Sequence, residues 1–200
     1  MKWLKRANSA GGPGCHVAVS ECRSGWTGEV PDAIGFRAAG SYDDGSVVVE
    51  CKTSRADFLA DRKKAHRTTG GCGNWRYFMA PEGLISPDEL PPGWGLLTVN
   101  SRGHVKAVAG PAAHYGGRYD ARLEAIEAFR HVADRDREQF LLTKLLHRVG
   151  DAEEMNRKIK AVYAEQTRLI NRVNSQIREL DELRNENWRL KHALEQAQSR

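Results

Sequence analysis

The sequence has little cysteine, and the few cysteines it has are spaced in a way that excludes the common cysteine-based sites. The four residues Cys15, Cys22, Cys51 and Cys72 include no C-x-x-C pair, so they match neither a disulfide framework nor a standard zinc site. Reduced thiols in a cytosolic protein are the expectation. A zinc site built from Cys15, His16, Cys22 and Cys72 stays open as an alternative.

Long apolar runs and nucleotide-binding loops are also missing. No stretch reaches the roughly 20 apolar residues that a membrane-spanning helix needs, and the start M-K-W-L-K-R lacks the apolar core of a signal peptide. The glycine-rich loop T-T-G-G-C-G-N lacks the Gly-Lys-Ser/Thr ending of a phosphate-cradling loop. We therefore expect a soluble, intracellular protein without a nucleotide site of that kind.

Charge is unevenly divided along the chain. The formal net charge is +5, from 31 Lys and Arg against 26 Asp and Glu. Residues 1–118 hold 15 basic and 11 acidic residues, a balance of +4, and the rest hold 16 and 15, a balance of +1. The basic excess therefore belongs to the first part of the chain, where it favours an anionic partner such as nucleic acid.

Proline is absent after Tyr119, and the only glycine there is Gly150. Apolar residues recur at helical spacing over 123–149, which predicts a helix. Four segments are expected: a loosely held arm (1–13), an α/β domain (14–118), a connecting helix (119–150) and a coiled coil (151–200).

A heptad register fits the last segment. Apolar residues fill most positions of its seam, with charged residues on both sides, so a coiled coil that forms a homodimer or higher oligomer is predicted. The alternative is a helix folded back on its own domain. The a positions are Ile159, Gln166, Val173, Leu180, Asn187 and Leu194, and the d positions are Val162, Leu169, Gln176, Leu183, Leu190 and Ala197.

Short runs of β-forming residues separated by turn signals predict a sheet. The runs 33–38 and 46–52 flank the turn G-S-Y-D-D-G and are typical of an antiparallel hairpin. Segment 15–23 fits either a helix or a strand. Further strands are predicted at 76–80, 95–99 and 104–108.

The hairpin brings three charged residues together. Asp32 precedes the first strand, and Glu50 and Lys52, two residues apart at the end of the second, share a face. Two carboxylates with the backbone carbonyl of Cys51 suit Mg²⁺ or Mn²⁺, and Lys52 can help a water attack a phosphate. A helix follows, with Ser54 as its N-cap; its early acids and late bases also suit the helix dipole.

The order P-D, then E-C-K, resembles the PD-(D/E)xK nuclease superfamily. The string K-T-S-R-A-D-F-L-A-D-R-K-K resembles its branch of MmcB-type DNA-repair and phage nuclease-like proteins. The resemblance covers roughly residues 15–110. It implies an α/β fold of the restriction-endonuclease type, with a mixed sheet of four or five strands flanked by helices. The helical tail departs from the family pattern.

The resemblance also implies roles for individual residues. Asp32 and Glu50 correspond to metal ligands, Lys52 to the catalytic lysine, and Glu21 to an additional acidic residue of the site. Ser54, Asp57 and Asp61 match the signature of the branch and are expected to support the site.

We therefore expect a Mg²⁺-dependent DNA endonuclease of DNA processing or repair, in the cytoplasm of a bacterium or a phage-infected cell. A catalytically weak DNA-binding or assembly protein of the same fold and a coiled-coil scaffold without nucleic acid are the alternatives. The residues expected to grip DNA phosphates are Arg55, Arg62, Lys63, Lys64 and Arg67.

Overall fold

The computed structural model describes residues 1–25, 30–61 and 70–198. The chain divides into two compact units, 1–145 and 146–200. Within the described residues the first unit contains one sheet of six strands. The strands are β1 (Val17–Ser20), β2 (Ala33–Arg37), β3 (Gly45–Cys51), β4 (Trp75–Pro81), β5 (Trp94–Val99) and β6 (Val105–Ala109).

The strands lie side by side in chain order, and the sheet is mixed. β2 is antiparallel to both of its neighbours, β1 and β3. β3, β4 and β5 are parallel to one another, and β6 is antiparallel to β5. The predicted α/β class and the hairpin of β2 and β3 are confirmed. The sheet is larger than the predicted four or five strands because the ambiguous segment 15–23 contributes β1, with Val19 opposite Ile34.

The region predicted as one connecting helix is interrupted at 129–134. Its backbone turns away from helical pairing because the N–H of His131 donates to the carbonyl of Asn74 (2.7 Å) and that of Asp134 to Gly71 (2.9 Å). Both acceptors lie in the loop before β4. The described helices are α1 (Arg55–Asp61), α2 (Tyr119–Ala128), α3 (Arg135–Val149) and α4 (Ala152–Gln198).

The N-terminal segment is part of the folded unit, and its prediction as a loosely held arm is wrong. Trp3 and Leu4 are buried in the core. The Trp3 ring meets Tyr77 edge to face at 5.3 Å, and its Nε1 donates to the carbonyl of Gly11 (3.0 Å). Two large apolar side chains give this segment enough buried area to offset the entropy of ordering it.

Both faces of the sheet are covered, as the Val-rich sequence of β3 predicts. Val47 and Val49 pack with Trp3, Tyr77 and Ile126 of α2. Val48, which points to the opposite face, packs with Ile34 and Leu141 of α3. Further along that same face, a third cluster centres on Phe58 of α1, Phe78 and Trp94.

Helix α4 has 47 residues, which corresponds to about 70 Å at 1.5 Å per residue. Asp151 caps its start, since its Oδ1 accepts the N–H of Glu153 at 2.8 Å. Apolar side chains along α4, such as Leu180 and Leu183, are about half exposed. Across the described part of the chain, no helix combines the length and apolar character needed to cross a membrane.

Candidate active site at the end of the β2–β3 hairpin

Three acidic residues lie at neighbouring strand ends: Glu21 directly follows β1, Asp32 directly precedes β2, and Glu50 is near the end of β3. Ala33 lies opposite Val49, so continuing the pairing by one residue places Asp32 opposite Glu50. On the other side, the N–H of Glu21 donates to the carbonyl of Asp32 (3.2 Å). Residues directly opposite each other in antiparallel strands share a face, so the sheet brings Asp32 and Glu50 to the same side.

Asp32 is half-buried and fixed to the neighbouring strand. Its Oδ2 accepts the backbone N–H of Cys51 at 2.7 Å, a charge-assisted bond that holds the carboxylate at the end of β3. Desolvation, followed by the negative charge of Asp32, raises the pKa of the Cys51 thiol. A thiol with a raised pKa is a poor nucleophile at neutral pH, which leaves the polar chemistry of this corner to the carboxylates and Lys52.

Glu50 and Lys52 are both ionisable residues and both buried, with 5% and 6% of their surface exposed. Extended pairing continues past the end of β3, because the N–H of Lys52 donates to the carbonyl of Met79 at 2.8 Å. The two side chains therefore keep the strand alternation and point the same way. Buried charges persist only where partners compensate their lost hydration.

Helix α1 supplies partners for the lysine. The Nζ of Lys52 lies 3.4 Å from Oδ2 of Asp61 and 3.6 Å from Oδ2 of Asp57. Asp61 is only 2% exposed, whereas about half of the Asp57 side chain is exposed. The two acids stand one helical turn apart on the same face of α1, so together they hold the ammonium from above the sheet.

Two features fix α1 in this position. At its start, Ser54 Oγ accepts the N–H of Asp57 (3.2 Å), as expected for an N-cap. In its middle, fully buried Phe58 meets Phe78 edge to face at 5.2 Å, and Phe78 stacks on Trp94 at 4.4 Å. Burial of an aromatic side chain of this size contributes about 1.5–3 kcal/mol, so the same packing that anchors α1 also places its two carboxylates at Lys52.

Glu21 has an unusual backbone. Its φ is +51°, the sole positive value at a non-glycine position in the described part of the chain. This conformation costs roughly 1–2 kcal/mol for an L-residue, and such strained residues concentrate at functional sites. The strand alternation ends here and the side chain is exposed. The structure thus puts the backbone of Glu21 beside Asp32 and leaves its carboxylate facing solvent.

The predicted metal ligands are oxygen atoms, which Mg²⁺ prefers, but only two of them are side-chain carboxylates. Among residues 1–25, 30–61 and 70–198, no group of three or more His, Cys, Asp or Glu side chains is arranged to hold a metal ion. The predicted set consists of the carboxylates of Asp32 and Glu50 and the carbonyl of Cys51. Mg²⁺ is commonly held by one or two carboxylates and keeps several waters, so this set is compatible with it.

The alternative zinc site is not assembled. Cys15 packs in the core cluster that contains Trp3 and Tyr77. Cys22 and Cys72 pack in a separate cluster with Ile34 and Leu141. Since tetrahedral zinc needs all its thiolates at about 2.3 Å from one point, cysteines divided between two clusters do not fit it.

Of the residues expected to contact DNA, the structure describes one. The guanidinium of Arg55 makes a bidentate ion pair with Glu89 and donates to the carbonyl of Leu84 (3.2 Å). This arrangement ties α1 to the turn before β5, a role that sequence reasoning missed because the partner lies 34 positions away. The other expected residues, Arg62, Lys63, Lys64 and Arg67, lie outside the described residues.

A second polar network at the opposite end of β3 was not predicted. Glu138 of α3 accepts the hydroxyl of Ser46 (2.5 Å) and the N–H of Gly73 (2.8 Å). Ser46 also exchanges hydrogen bonds with Asn74. No local pattern signals these contacts, which join segments 28 to 92 residues apart, and they anchor α3 and the glycine-rich loop to the sheet.

No protein-family model matches the chain, and no curated protein matches it. Among solved structures, a protein of unknown function from Silicibacter pomeroyi is similar at 20% sequence identity with a TM-score of 0.42, over 75% of this chain and 81% of that chain. The assignment of the site therefore depends on the residues and geometry described above.

Proposed function

We propose that the α/β unit is a Mg²⁺-dependent nuclease that hydrolyses phosphodiester bonds in DNA. Asp32 and Glu50 hold the metal, with the carbonyl of Cys51, and Lys52 assists the attack of water. The observation that supports this most is the register of β2 and β3, in which Ala33 pairs with Val49. Continued by one residue, this register sets Asp32 beside Glu50, and Lys52 is buried on the same side. This arrangement combines the acidic pair and the lysine that the PD-(D/E)xK resemblance implies.

The chain's own residues then divide the work. Lys52 directs an ammonium toward the reacting phosphate, where it offsets the negative charge that develops in the transition state. Asp61 and Asp57 hold that ammonium in place, so it needs little reorganisation when substrate arrives. Bound Mg²⁺ supplies further charge compensation and makes a bound water more acidic. Asp32 keeps a fixed position through its bond from the Cys51 N–H.

We further propose that DNA is the partner of the first unit. The balance of +4 in residues 1–118, 15 basic against 11 acidic, supports phosphate contacts that are independent of sequence. The run R-K-K at 62–64 directly follows Asp61 in the sequence, which brings basic side chains close along the chain to the proposed catalytic residues. DNA binding of this type weakens steeply with salt.

The third proposal concerns α4, which we infer to associate with α4 of another copy of this chain. Its a and d side chains are apolar at most positions and about half or more exposed in the single chain. A stripe of this kind, flanked on both sides by charges in its second half, is typical of a coiled-coil seam. The protein would then present two nuclease-like units on one dimer.

One observation favours a catalytically weak DNA-binding protein as the second candidate. The ammonium of Lys52 already has two carboxylate partners on α1, and no cluster of three side-chain ligands is present among the residues described. A fold of this kind can retain DNA binding while its hydrolytic activity is low. Binding without cleavage would identify this case, and absence of both would favour a scaffold.

The test is cleavage of supercoiled, linear and single-stranded DNA with Mg²⁺ or Mn²⁺, with a chelator as blank. We expect wild type to cleave, and Glu50→Gln and Lys52→Gln to lose at least about 100-fold in rate. Glu124→Gln is the matched control, because Glu124 is an exposed carboxylate on α2. Absence of cleavage by folded wild type on every DNA form would overturn the proposal.

A further inference from the structure

The seam of α4 is interrupted by polar residues at regular heptad positions. We define the seam as the a and d positions between Ile159 and Leu194. Gln166 and Asn187 occupy a positions and Gln176 occupies a d position. A polar side chain in a seam lowers stability unless it finds a hydrogen-bond partner on the facing helix, and it thereby selects one orientation and register.

A parallel, in-register dimer gives all three of these polar residues a hydrogen-bonding partner on the facing helix. In a parallel, in-register dimer each a residue faces the same a residue, and each d residue faces the same d residue. Gln166, Gln176 and Asn187 then each face their own copy, and every amide has a donor and an acceptor opposite it. The apolar layers, such as Leu180 and Leu183, also face themselves.

Charges beside the seam point to the same arrangement. In a parallel dimer a g residue lies near the e residue five positions later on the other helix. Glu179 (g) then meets Arg184 (e), and Glu186 (g) meets Lys191 (e). Two-fold symmetry doubles this to four attractive pairs. In the first half of the seam the e positions are apolar, for example Ile170 and Ile177, and long g side chains can cover them with their aliphatic stems.

An antiparallel dimer is the strongest competitor, and charge disfavours it. A register that places Gln166 opposite Gln176 also pairs two glutamines. However, antiparallel helices bring g residues against g residues. In this register Glu165 meets Glu179 and Arg172 meets its own copy, and these like-charge contacts outnumber the attractive contacts between Lys158 and Glu186, three to two in the symmetric dimer. Asn187 would face Met155 and lose its polar partner. Like-charge contacts and an unpaired amide both raise the free energy of this form.

We propose that α4 forms a parallel, in-register, two-stranded coiled coil with a second copy of this chain, specified by the self-facing Asn187 layer and the Glu179–Arg184 and Glu186–Lys191 pairs. The inference deepens the self-association proposed above and depends on it. It does not depend on nuclease activity. In this arrangement the chains of both copies enter the coiled coil at the same end.

Disulfide trapping in the full-length chain tests the orientation. Leu190→Cys places a thiol at a d position, where it faces its own copy only if the helices are parallel. Asn185→Cys, at the outward f position five residues earlier, is the matched control. After mild oxidation, we expect a disulfide between the two copies of the thiol introduced by Leu190→Cys, identified by proteolysis and mass spectrometry, in more than about 80% of chains. The control should give less than about a tenth of that.

The possible outcomes distinguish the parallel orientation of α4 from self-association of α4 as such. The antiparallel form would give a dimeric mass by light scattering but no disulfide in Leu190→Cys. It would also cross-link Gln166→Cys chains to Gln176→Cys chains. This set of results would overturn the parallel orientation and leave self-association standing. A monomeric mass for wild type would overturn self-association itself. DNA cleavage is read separately and bears on neither result.

Charge reversal gives a second readout. The chain with Glu179→Lys and Glu186→Lys repels itself at four places in the parallel register, as does the chain with Arg184→Glu and Lys191→Glu. We expect each variant to dimerise at least about tenfold more weakly than wild type, and an equimolar mixture to form a heterodimer with near wild-type affinity. A mixture that stays as weak as its components would contradict the parallel register.

Discussion

The α/β unit and α4 differ in how far they bury their apolar and charged side chains. In the α/β unit, aromatic residues such as Phe58 and Trp94 are fully enclosed, and even the charges of Glu50, Lys52 and Asp61 are buried. On α4, apolar side chains lie open to solvent and the ion pairs are exposed and local. The α/β unit therefore encloses its apolar side chains within one chain, whereas apolar side chains of α4 stay exposed in the single chain.

The difference follows from how each region can bury area. Six strands covered on both faces enclose side chains within one chain, and the cost of ordering the backbone is offset by nonlocal packing. A single helix satisfies its backbone hydrogen bonds alone but cannot enclose its own apolar stripe. The stripe of α4 gains free energy only against another surface.

The largest expected difference between the two regions comes from removing one large apolar side chain from each. Phe58→Ala removes a fully buried ring from the cluster with Phe78 and Trp94, so we expect the α/β unit to lose about 3–5 kcal/mol of unfolding free energy. Leu183→Ala on α4 should leave that unfolding free energy within about 0.5 kcal/mol. Urea unfolding followed by tryptophan fluorescence, compared with α-helical ellipticity, measures both.

Leu183→Ala should also weaken dimerisation, provided that α4 associates with α4 of another copy. If α4 pairs with another copy, the dimer loses about 2–3 kcal/mol per truncated leucine. Because each dimer loses two leucines, its dissociation constant should rise by about 1,000-fold or more. An isolated helix would be unaffected or slightly stabilised, since alanine has the highest helix propensity. An unchanged dimer mass at low concentration would show that Leu183 lies outside the interface.

This contrast also explains which parts of the fold could be predicted from the sequence. Strands β2 to β6 and the long α4 follow from local periodicity and turn signals, which do not depend on distant residues. The ordered N-terminal segment and the break before α3 were missed because both depend on nonlocal contacts. Trp3 is ordered by Tyr77, and the break by hydrogen bonds from His131 and Asp134 to the loop before β4.

For the candidate site, local register was again the predictable part. Hairpin pairing is enough to bring Asp32 near Glu50, and i, i+4 spacing is enough to put Asp57 and Asp61 on one face of α1. The burial of the site under α1 could not be predicted from the sequence. Lys52 is buried because Phe58 docks α1 onto the sheet, and the tie between Arg55 and Glu89 joins segments that no short pattern relates.

The next prediction concerns charge burial in the α/β unit. Asp61→Asn removes the buried partner of Lys52 but keeps its shape, leaving the ammonium with the more exposed Asp57. We expect a loss of about 2 kcal/mol in unfolding free energy. The control Asp181→Asn removes an exposed carboxylate of α4 that lies 3.7 Å from Arg184 and should cost less than about 0.5 kcal/mol.

If the site is catalytic, Asp61→Asn also has an effect that stability alone cannot produce. A mobile Lys52 ammonium should lower kcat of DNA cleavage at temperatures where the variant is fully folded, with KM nearly unchanged. Asp61→Glu, which restores the charge, should recover part of the lost rate. Equal rates for wild type and Asp61→Asn would assign Asp61 to folding only.

The smallest expected effect is a pH dependence that should belong to the α/β unit alone. Asp43 is buried with 6% of its surface exposed. Desolvation raises its pKa, but its neighbours outweigh that effect and hold the pKa below the ordinary value of 3.8. The neighbours are Ser41, Asn8, Arg37 and Arg122.

The sign of the dependence follows from this lowered pKa. A carboxyl that ionises more readily in the folded state stabilises the fold above its unfolded pKa, and that stability is lost as pH falls through the folded pKa. We therefore expect wild-type unfolding free energy to fall between about pH 5 and pH 3 by roughly 1 kcal/mol more than that of Asp43→Asn. Asp120→Asn, at a carboxylate 76% exposed, should retain the wild-type slope. A wild-type slope in Asp43→Asn would mean that the α/β unit owes its acid sensitivity to other carboxylates. The ion pairs described in α4 are exposed, so the same titration should leave its helicity unchanged. Acid would therefore distinguish a region stabilised by a buried charge from a region whose ion pairs lie at the surface.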